Sequence, residues 1–595
     1  MNKYNTYIAI RDEHDSDDDD DFVETNYIRH RYITHVASGC FMIGIILLLT
    51  AIAMNPDYKP PTSFAATSDG QKPNFVIILA DDLAWNSIGY SSDELAFVTP
   101  TLTELAKSGV IMDNFYAQEV CSPSRGSLLT GRYPLSIGMQ YGMVGANAEW
   151  GMPLDEITLP EVLADYNYKS HILGKWHLGY FTPLLLPTAR GFDTWTGYSN
   201  GENYYWSKKS PDYPQHTDFL ESTTECYTPY NESDKHTYST ILYTNKAVSI
   251  IENHDTSDPL FLFMSYQAVH DPFVDYGNHK SGMPDTYIED SILEQIDATI
   301  VGKTRQEYAK SLYLLDQSVA TIRDTLETQG LLDNTYIIFM SDNGGCMYGG
   351  GKNGPLRGSK GALFEGGIKV DSFIYGGPLS LSGTVYKGLM HISDWFPTIL
   401  ALANIDYDPP TENLLDGVNQ ADAWSNEVGS TDVTPRSYML YNKYTDLTDY
   451  NFNIWTNGSF AVRDARYKLM HTYNDAVYGN WYNAALEIDG DDDLDSDDRC
   501  AQQFVTGEFT YWFFDLQTDP YEKINLYSST NPMHTLAKAH LYSLLDTFSA
   551  KTKISIQMSD KAEVVWSSVG NNIVPWADVD NLVNDAGKSY PQLCL

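Results

Sequence analysis

Two apolar runs along this chain stop abruptly at acid. Residues 75–79 lie in NFVIILADD and end just before Asp81 and Asp82; residues 336–340 lie in TYIIFMSDNGG and end just before Asp342 and Asn343. Runs of this length without polar alternation predict strands buried on both faces, as in a parallel sheet. Residues 260–264 form a third such run, and residues 115–120 lead as a strand into Cys121. Residues 101–108 and 306–329 carry helical spacing between them. The pattern predicts an α/β fold with a large, mostly parallel sheet flanked by helices. In such sheets ligands sit beyond the carboxyl ends of the strands, where both acid pairs fall. Toward the C-terminus the rhythm changes. NGSFAVRDARYKLMHTY predicts a hairpin with Asp464 and Ala465 near its turn, and residues 533–552 return to helical spacing.

A longer apolar run stands near the start. Residues 36–54, VASGCFMIGIILLLTAIAM, contain no charge and are long enough to span a bilayer. Arg29, His30, Arg31 and His35 precede the run and Asp57 follows it, so the positive-inside rule leaves the N-terminus in the cytosol and sends the rest to the lumen. This predicts a cytosolic acidic tail over 1–35, a signal-anchor over 36–54 and a linker over 55–72. The alternative is a cleaved signal peptide and a secreted or lysosomal product, but the long polar stretch before the span favours the anchor. Sequons at Asn231 and Asn457 fit a lumenal protein.

Composition narrows the partners. The net charge of −41 repels nucleic acid at long range and argues against a nucleic-acid role. The six cysteines include no CxxC pair, which removes a zinc ribbon. Cys40 lies in the apolar span. In an oxidising lumen Cys226, Cys346, Cys500 and Cys594 would form two disulfides, in one of three pairings.

That leaves Cys121, in EVCSPSRGSLLTGRYP. Ser122 is placed to cap a helix and Pro123 to occupy its first turn, which puts Cys121 at a helix N-terminus that favours an anion. Arg125 adds a fixed cation there. The acid pairs offer oxygen ligands only, which suit Ca²⁺ or Mg²⁺. The acidic stretch 489–500 lacks the Gly and Glu of an EF-hand loop and reads as a solvated loop. Further cations cluster near probable strand ends: Lys175 and His177 in KSHILGKWHLG, His270 in SYQAVHDPF, and Arg357 and Lys360 in GPLRGSKGALFEGG. If 175–177 is extended, Lys175 and His177 share a face. Together these residues describe a nucleophile beside a metal and an anion pocket, with phosphate and sulfate both open.

At this point the chain resembles the type I sulfatases, and within them enzymes of the arylsulfatase B type. Cys121-Ser-Pro-Ser-Arg125 followed by Leu128-Leu129-Thr130-Gly131 matches the family's formylglycine signature. Tyr168 to His177 matches its second signature, except that Asn167 stands where Gly is usual. Glu119 also departs from the small residue usual there. The resemblance implies an alkaline-phosphatase-like sulfatase fold, with a catalytic domain over 73–430 and a C-terminal subdomain over 431–595 carrying a small antiparallel sheet and a helix. It implies that Cys121 is oxidised to formylglycine by the formylglycine-generating enzyme of the endoplasmic reticulum. Asp81, Asp82, Asp342, Asn343 and the modified Cys121 would bind the metal, usually Ca²⁺, with Mg²⁺ as the alternative. Arg125 would orient the aldehyde diol, Lys175 and Lys360 would hold the sulfate, and His177 and His270 would handle protons. The implied substrate is an aryl or carbohydrate sulfate ester. Two rivals stand beside this reading: a metal-dependent phosphatase or phosphodiesterase of the same fold, and a catalytically silent membrane protein that binds sulfated glycans.

Overall fold

The computed structural model describes residues 71–595 except 141, 231–236, 275–284, 378, 380–381, 425–433, 444–457, 475–507, 550, 554–571, 578–590 and 595. The expected span over 36–54, the asparagines of both sequons, the loop 489–500 and the expected domain boundary near 430 lie outside these residues. Among the described residues no helix is long and apolar enough to cross a membrane.

The acid-tipped runs become strands β1 (Asn74–Ala80) and β8 (Thr335–Ser341), neighbours in parallel register with Ile77 opposite Ile338. On the other side of β1 lies β7 (Leu260–Ser265), then β3 (Lys169–Lys175) and β4 (Thr194–Tyr198), all parallel. The lack of polar alternation has the expected cause. Phe75, Ile77 and Leu79 enter one core while Val76, Ile78 and Ala80 enter the other. Helices Pro100–Ser108, Ser239–Glu252 and Lys303–Thr328 cover the second face; helices Cys121–Thr130 and Trp395–Leu402 cover the first.

The sheet is completed by β2 (Val110–Tyr116), β5 (Leu220–Thr223), β6 (Cys226–Pro229), β9 (Ser372–Gly376), β10 (Thr384–His391) and β15 (Gln592–Leu593). Its order is β10-β2-β9-β8-β1-β7-β3-β4-β5-β6-β15, with β9 and β5 antiparallel to their neighbours. The last strand of the chain thus returns to the edge of the large sheet. A Cys226–Cys594 disulfide fastens it there. Cys346 is also disulfide-bonded.

The hairpin expected around Asp464 forms from β12 (Phe460–Asp464) and β13 (Tyr467–Asn474). With β11 (Tyr438–Lys443) and β14 (Glu508–Asp515) it makes a four-stranded antiparallel sheet in the order β11-β12-β13-β14. One face, with Met439, Ala461 and Phe514, packs on Tyr116, Val120 and Phe364; the other, with Leu440, Val462 and Phe513, packs on helix Pro532–Ser549. The small sheet is therefore layered directly against the segments that flank Cys121.

Candidate active site

Both acid pairs leave their strands at the same end of the sheet. Lys175 closes β3 beside them, and Ser265 closes β7. His270 follows five residues later. Cys121 opens a ten-residue helix whose residues are all buried. Three local expectations need correction. The strand before the cysteine ends at Tyr116, and the helix begins at Cys121 itself with Val120 in the extended N-cap position, without a side-chain cap. Ser122 is used differently: its hydroxyl donates to His177 O at 2.8 Å and accepts from Val144 N at 3.1 Å. Lys175 and His177 do not lie on one extended stretch either. The strand stops at Lys175, and His177 takes a left-handed backbone, φ 58°.

The site is a dense, buried ion network. Lys175 Nζ donates to Asp81 Oδ2 at 2.6 Å, and Lys360 Nζ to Asp82 Oδ2 at 2.8 Å. Lys360 Nζ also stands 2.8 Å from His270 Nε2. Arg125 grips Asp342 Oδ2 through Nε at 3.1 Å and Nη2 at 2.9 Å, while its Nη1 donates to Ser265 Oγ at 2.6 Å and Lys175 O at 3.2 Å. Asn343 Nδ2 donates to Asp82 Oδ1 at 2.7 Å. Three carboxylates (Asp81, Asp82, Asp342) thus face three cations (Arg125, Lys175, Lys360).

The sulfur is in the middle of this. Cys121 Sγ approaches Asp81 Oδ1 at 3.5 Å. Ligand atoms of Asp81, Asp82, Cys121 and His270 all lie within 4.8 Å of one another. Asp342 stands outside that tight group, and Asn343 offers Oδ1, which is buried with no hydrogen-bond partner among the described residues. A hard divalent cation fits this arrangement: it would satisfy the orphaned amide oxygen and draw on carboxylates already converged. With the fixed charges balanced, a dication would leave a positive surplus for an anionic substrate.

Electrostatics sort the groups by role. Burial pushes the Cys121 thiol well up, despite Lys175 and Lys360 nearby, so it is a poor thiolate. Cys121 is also the free cysteine among the described residues. Burial, then the charges of Lys175 and Arg125, hold His177 well below the ordinary imidazole range, which keeps it neutral. Burial opposes the charge on Lys360, but Asp82, with Cys121 and Asp81 adding to it, holds the ammonium well above its usual range.

All ten sequence-selected residues converge here, counting Cys121 once: Asp81, Asp82, Cys121, Arg125, Lys175, His177, His270, Asp342, Asn343 and Lys360. Arg357 does not; its guanidinium lies between the rings of Phe364 and Trp512, at 4.1 and 4.5 Å from their centroids. Three contributors were missed. Ser265 ends an apolar run as Asp81 and Asp342 do, so its signal was present in the sequence. Asp271, beside His270, was passed over within the same short motif. Glu119 now has a partner: its carboxylate accepts from Asn442 Nδ2 at 2.8 Å, and its backbone carbonyl accepts from Gly361 N at 2.8 Å. It ties the turn before Cys121 to the small sheet and to the Lys360 loop.

Comparison with known proteins gives one consistent result. A family profile described as Sulfatase matches residues 73–405. Arylsulfatase J of Mus musculus is 34% identical over 482 residues, covering 79% of this chain and 75% of that protein. N-acetylgalactosamine-6-sulfatase of Sus scrofa is 30% identical over 501 residues, covering 80% and 86%. Among solved structures, Ps i-CgsB in complex with k-i-k-neocarrahexaose superposes with a TM-score of 0.64 at 25% identity, covering 84% of this chain and 97% of that one.

Proposed function

Because the chain belongs to the sulfatase family and hydrolyses sulfate esters, we propose that it does so through a formylglycine made from Cys121, on a sulfated saccharide or aryl sulfate. The observation that carries the reading is the state of Cys121. Its sulfur is buried, in no disulfide and a poor thiolate, yet it stands within the ring of metal-type donors. That suits a precursor better than a working thiol.

Oxidised, residue 121 would supply a hydrated aldehyde, with one hydroxyl to take up sulfate and a second through which to expel it. Asp81, Asp82, Asp342 and Asn343, with residue 121, would hold Ca²⁺, or Mg²⁺ in its place, as a Lewis acid. Arg125, fixed by Asp342 and Ser265, orients residue 121. Lys175 and Lys360 hold the sulfate oxygens and stabilise charge developing on the transferred group. His270 or Lys360 protonates the leaving alcohol. His177, neutral and buried, takes the proton whose loss releases sulfate.

The disulfide between Cys226 and Cys594 supports an oxidising compartment. A lumenal catalytic part, modification in the endoplasmic reticulum and a membrane anchor over 36–54 complete the proposal, with the division into 73–430 and 431–595. The saccharide preference draws on the oligosaccharide held by Ps i-CgsB.

The test is mass spectrometry of the peptide containing residue 121 from active protein, with Cys121→Ala in parallel. An aldehyde at 121 and loss of sulfate release in a folded variant are the expected results. Active protein carrying only thiol, or turnover retained in Cys121→Ala, would sink the mechanism.

A further inference from the structure

The His177 imidazole is placed by packing. Its Nδ1 is buried with no hydrogen-bond partner among the described residues. What bears on the ring is Gly201: a Cβ there would stand 2.9 Å from Cε1 and 3.0 Å from Nε2. The ring therefore follows the backbone at 199–201.

That backbone is set by Asp218. Its two carboxylate oxygens accept from Ser199 N and Asn200 N, each at 3.0 Å, and Ser199 O in turn accepts from His177 N at 3.1 Å. Asp218 also closes the intervening loop, its N–H donating to Lys208 O at 2.9 Å and its carbonyl accepting from Asn203 Nδ2 at 2.5 Å. It is fully buried, and among the described residues no cation pairs with it. A carboxylate buried on neutral donors is costly, and here it supports the loop against His177.

The C-terminal segment braces the same region from outside. Ile573 N donates to Thr217 O at 2.7 Å, next to Asp218. Trp576 N and Ala577 N donate to Phe181 O at 3.0 and 2.8 Å, four residues beyond His177, and the indole stands edge-on to Tyr180 at 5.2 Å. Ile573 and Val574 are buried in the core of the large sheet.

We propose that Asp218, braced by the strap 572–577, is a positioning residue that holds His177 for the release of sulfate. The proposal rests on the assignment of His177 to that step. Damage confined to His177 slows sulfate release and spares the preceding transfer to the enzyme, whereas general loosening of the fold slows both.

The experiment uses full-length, aldehyde-bearing protein and a chromogenic aryl sulfate. Rapid mixing follows alcohol and inorganic sulfate separately for wild type, Asp218→Asn, Trp576→Ala and His177→Ala. Hydrogen exchange is read in peptides covering 176–181 and 199–203. Asp218→Asn keeps the shape and removes a buried charge, so melting temperature serves as the folding control. Expected in Asp218→Asn is one equivalent of alcohol at the wild-type rate, then turnover slowed by roughly 10²-fold with sulfate lagging. Both peptides should exchange faster, and Trp576→Ala should shift in the same direction by about tenfold. Equal slowing of alcohol and sulfate, or unchanged exchange in Asp218→Asn, overturns the proposal. A lag in His177→Ala but not in Asp218→Asn overturns it while leaving the role of His177 standing. No lag in His177→Ala overturns that role, and exchange alone then decides whether Asp218 positions the loop.

Discussion

Arg125 shows how much geometry one side chain supplies. It spends three nitrogens on Asp342, Ser265 and the carbonyl of Lys175, so it fixes the ends of β8, β7 and β3 relative to the Cys121 helix. Lysine would keep the charge and lose the fork. Arg125→Lys is expected to fold, with a melting temperature near wild type, and to lose about 10²-fold in kcat with an aryl sulfate. Activity within a few-fold of wild type would mean that the fork does not organise the site. Asp342 and Lys175 were legible in the sequence because each follows or ends an apolar run, and Arg125 because it lies near the start of the helix that Cys121 opens. Glu119 and Asp218 were not, for a physical reason. Glu119 acts on Asn442, 323 positions away, and Asp218 acts on backbone N–H groups of a loop with no periodicity. Chain pattern reports which face a residue takes; it carries nothing about a partner brought in by the fold.

Between elements, the small sheet meets the catalytic layer through buried charge. Lys468 on β13 lies between Glu365 at 2.9 Å and Glu522 at 2.8 Å, and Glu365 also accepts from Tyr116 OH at 2.7 Å. Arg463 on β12 reaches the same tyrosine, and Glu522 Oε2 accepts from Glu365 N at 2.7 Å. Two carboxylates share one ammonium, so one gives way. Burial, with the charge of Glu365 adding to it, lifts Glu522 to about 7, while Lys468 and Arg463 overcome burial and hold Glu365 below its ordinary range. The sign follows from linkage. A carboxyl raised in the folded state contributes stability that is complete below its unfolded pKa and is lost as pH rises through about 7. Wild-type stability should therefore fall between mildly acidic pH and pH 8 by up to ~3 kcal/mol from this group, and Glu522→Gln should flatten that slope. Denaturant melts across the range check it; parallel slopes for the two proteins would exclude Glu522 as the titrating group. At this scale the main strands were legible as unbroken apolar runs, since burial on both faces removes polar alternation, and the long helices because burial on one face writes a period into them. The return of β15 was not, since a two-residue strand has no period and its place is set by the edge of β6 and a disulfide.

For the whole molecule, charge opposes the chemistry. The chain carries 79 acidic against 38 basic residues, and its site cations Arg125, Lys175 and Lys360 are buried. Asp81, Asp82 and Asp342 are buried with them and balance their charge, so the acidic surplus lies outside the site and a sulfated polymer approaches against repulsion until it reaches the pocket. Repulsion between exposed charges is long-ranged in dilute salt, with a Debye length of about 30 Å at 0.01 M that shrinks to about 8 Å at 0.15 M. Attraction inside the buried site is screened far less. For a densely sulfated polysaccharide, kcat/KM should accordingly rise by roughly 3–10-fold across that interval, at fixed Ca²⁺, through a fall in KM. A monosulfated aryl ester brings a single charge and should change by less than about twofold. The comparison is internal, since both substrates meet the same reacting groups and differ in how much charge must cross the acidic surface. If kcat/KM for the polymer instead falls as salt rises, a basic track leads to the pocket and the acidic total does not govern approach. If the two substrates respond alike, salt acts on the site itself and surface charge has no part in selecting the substrate.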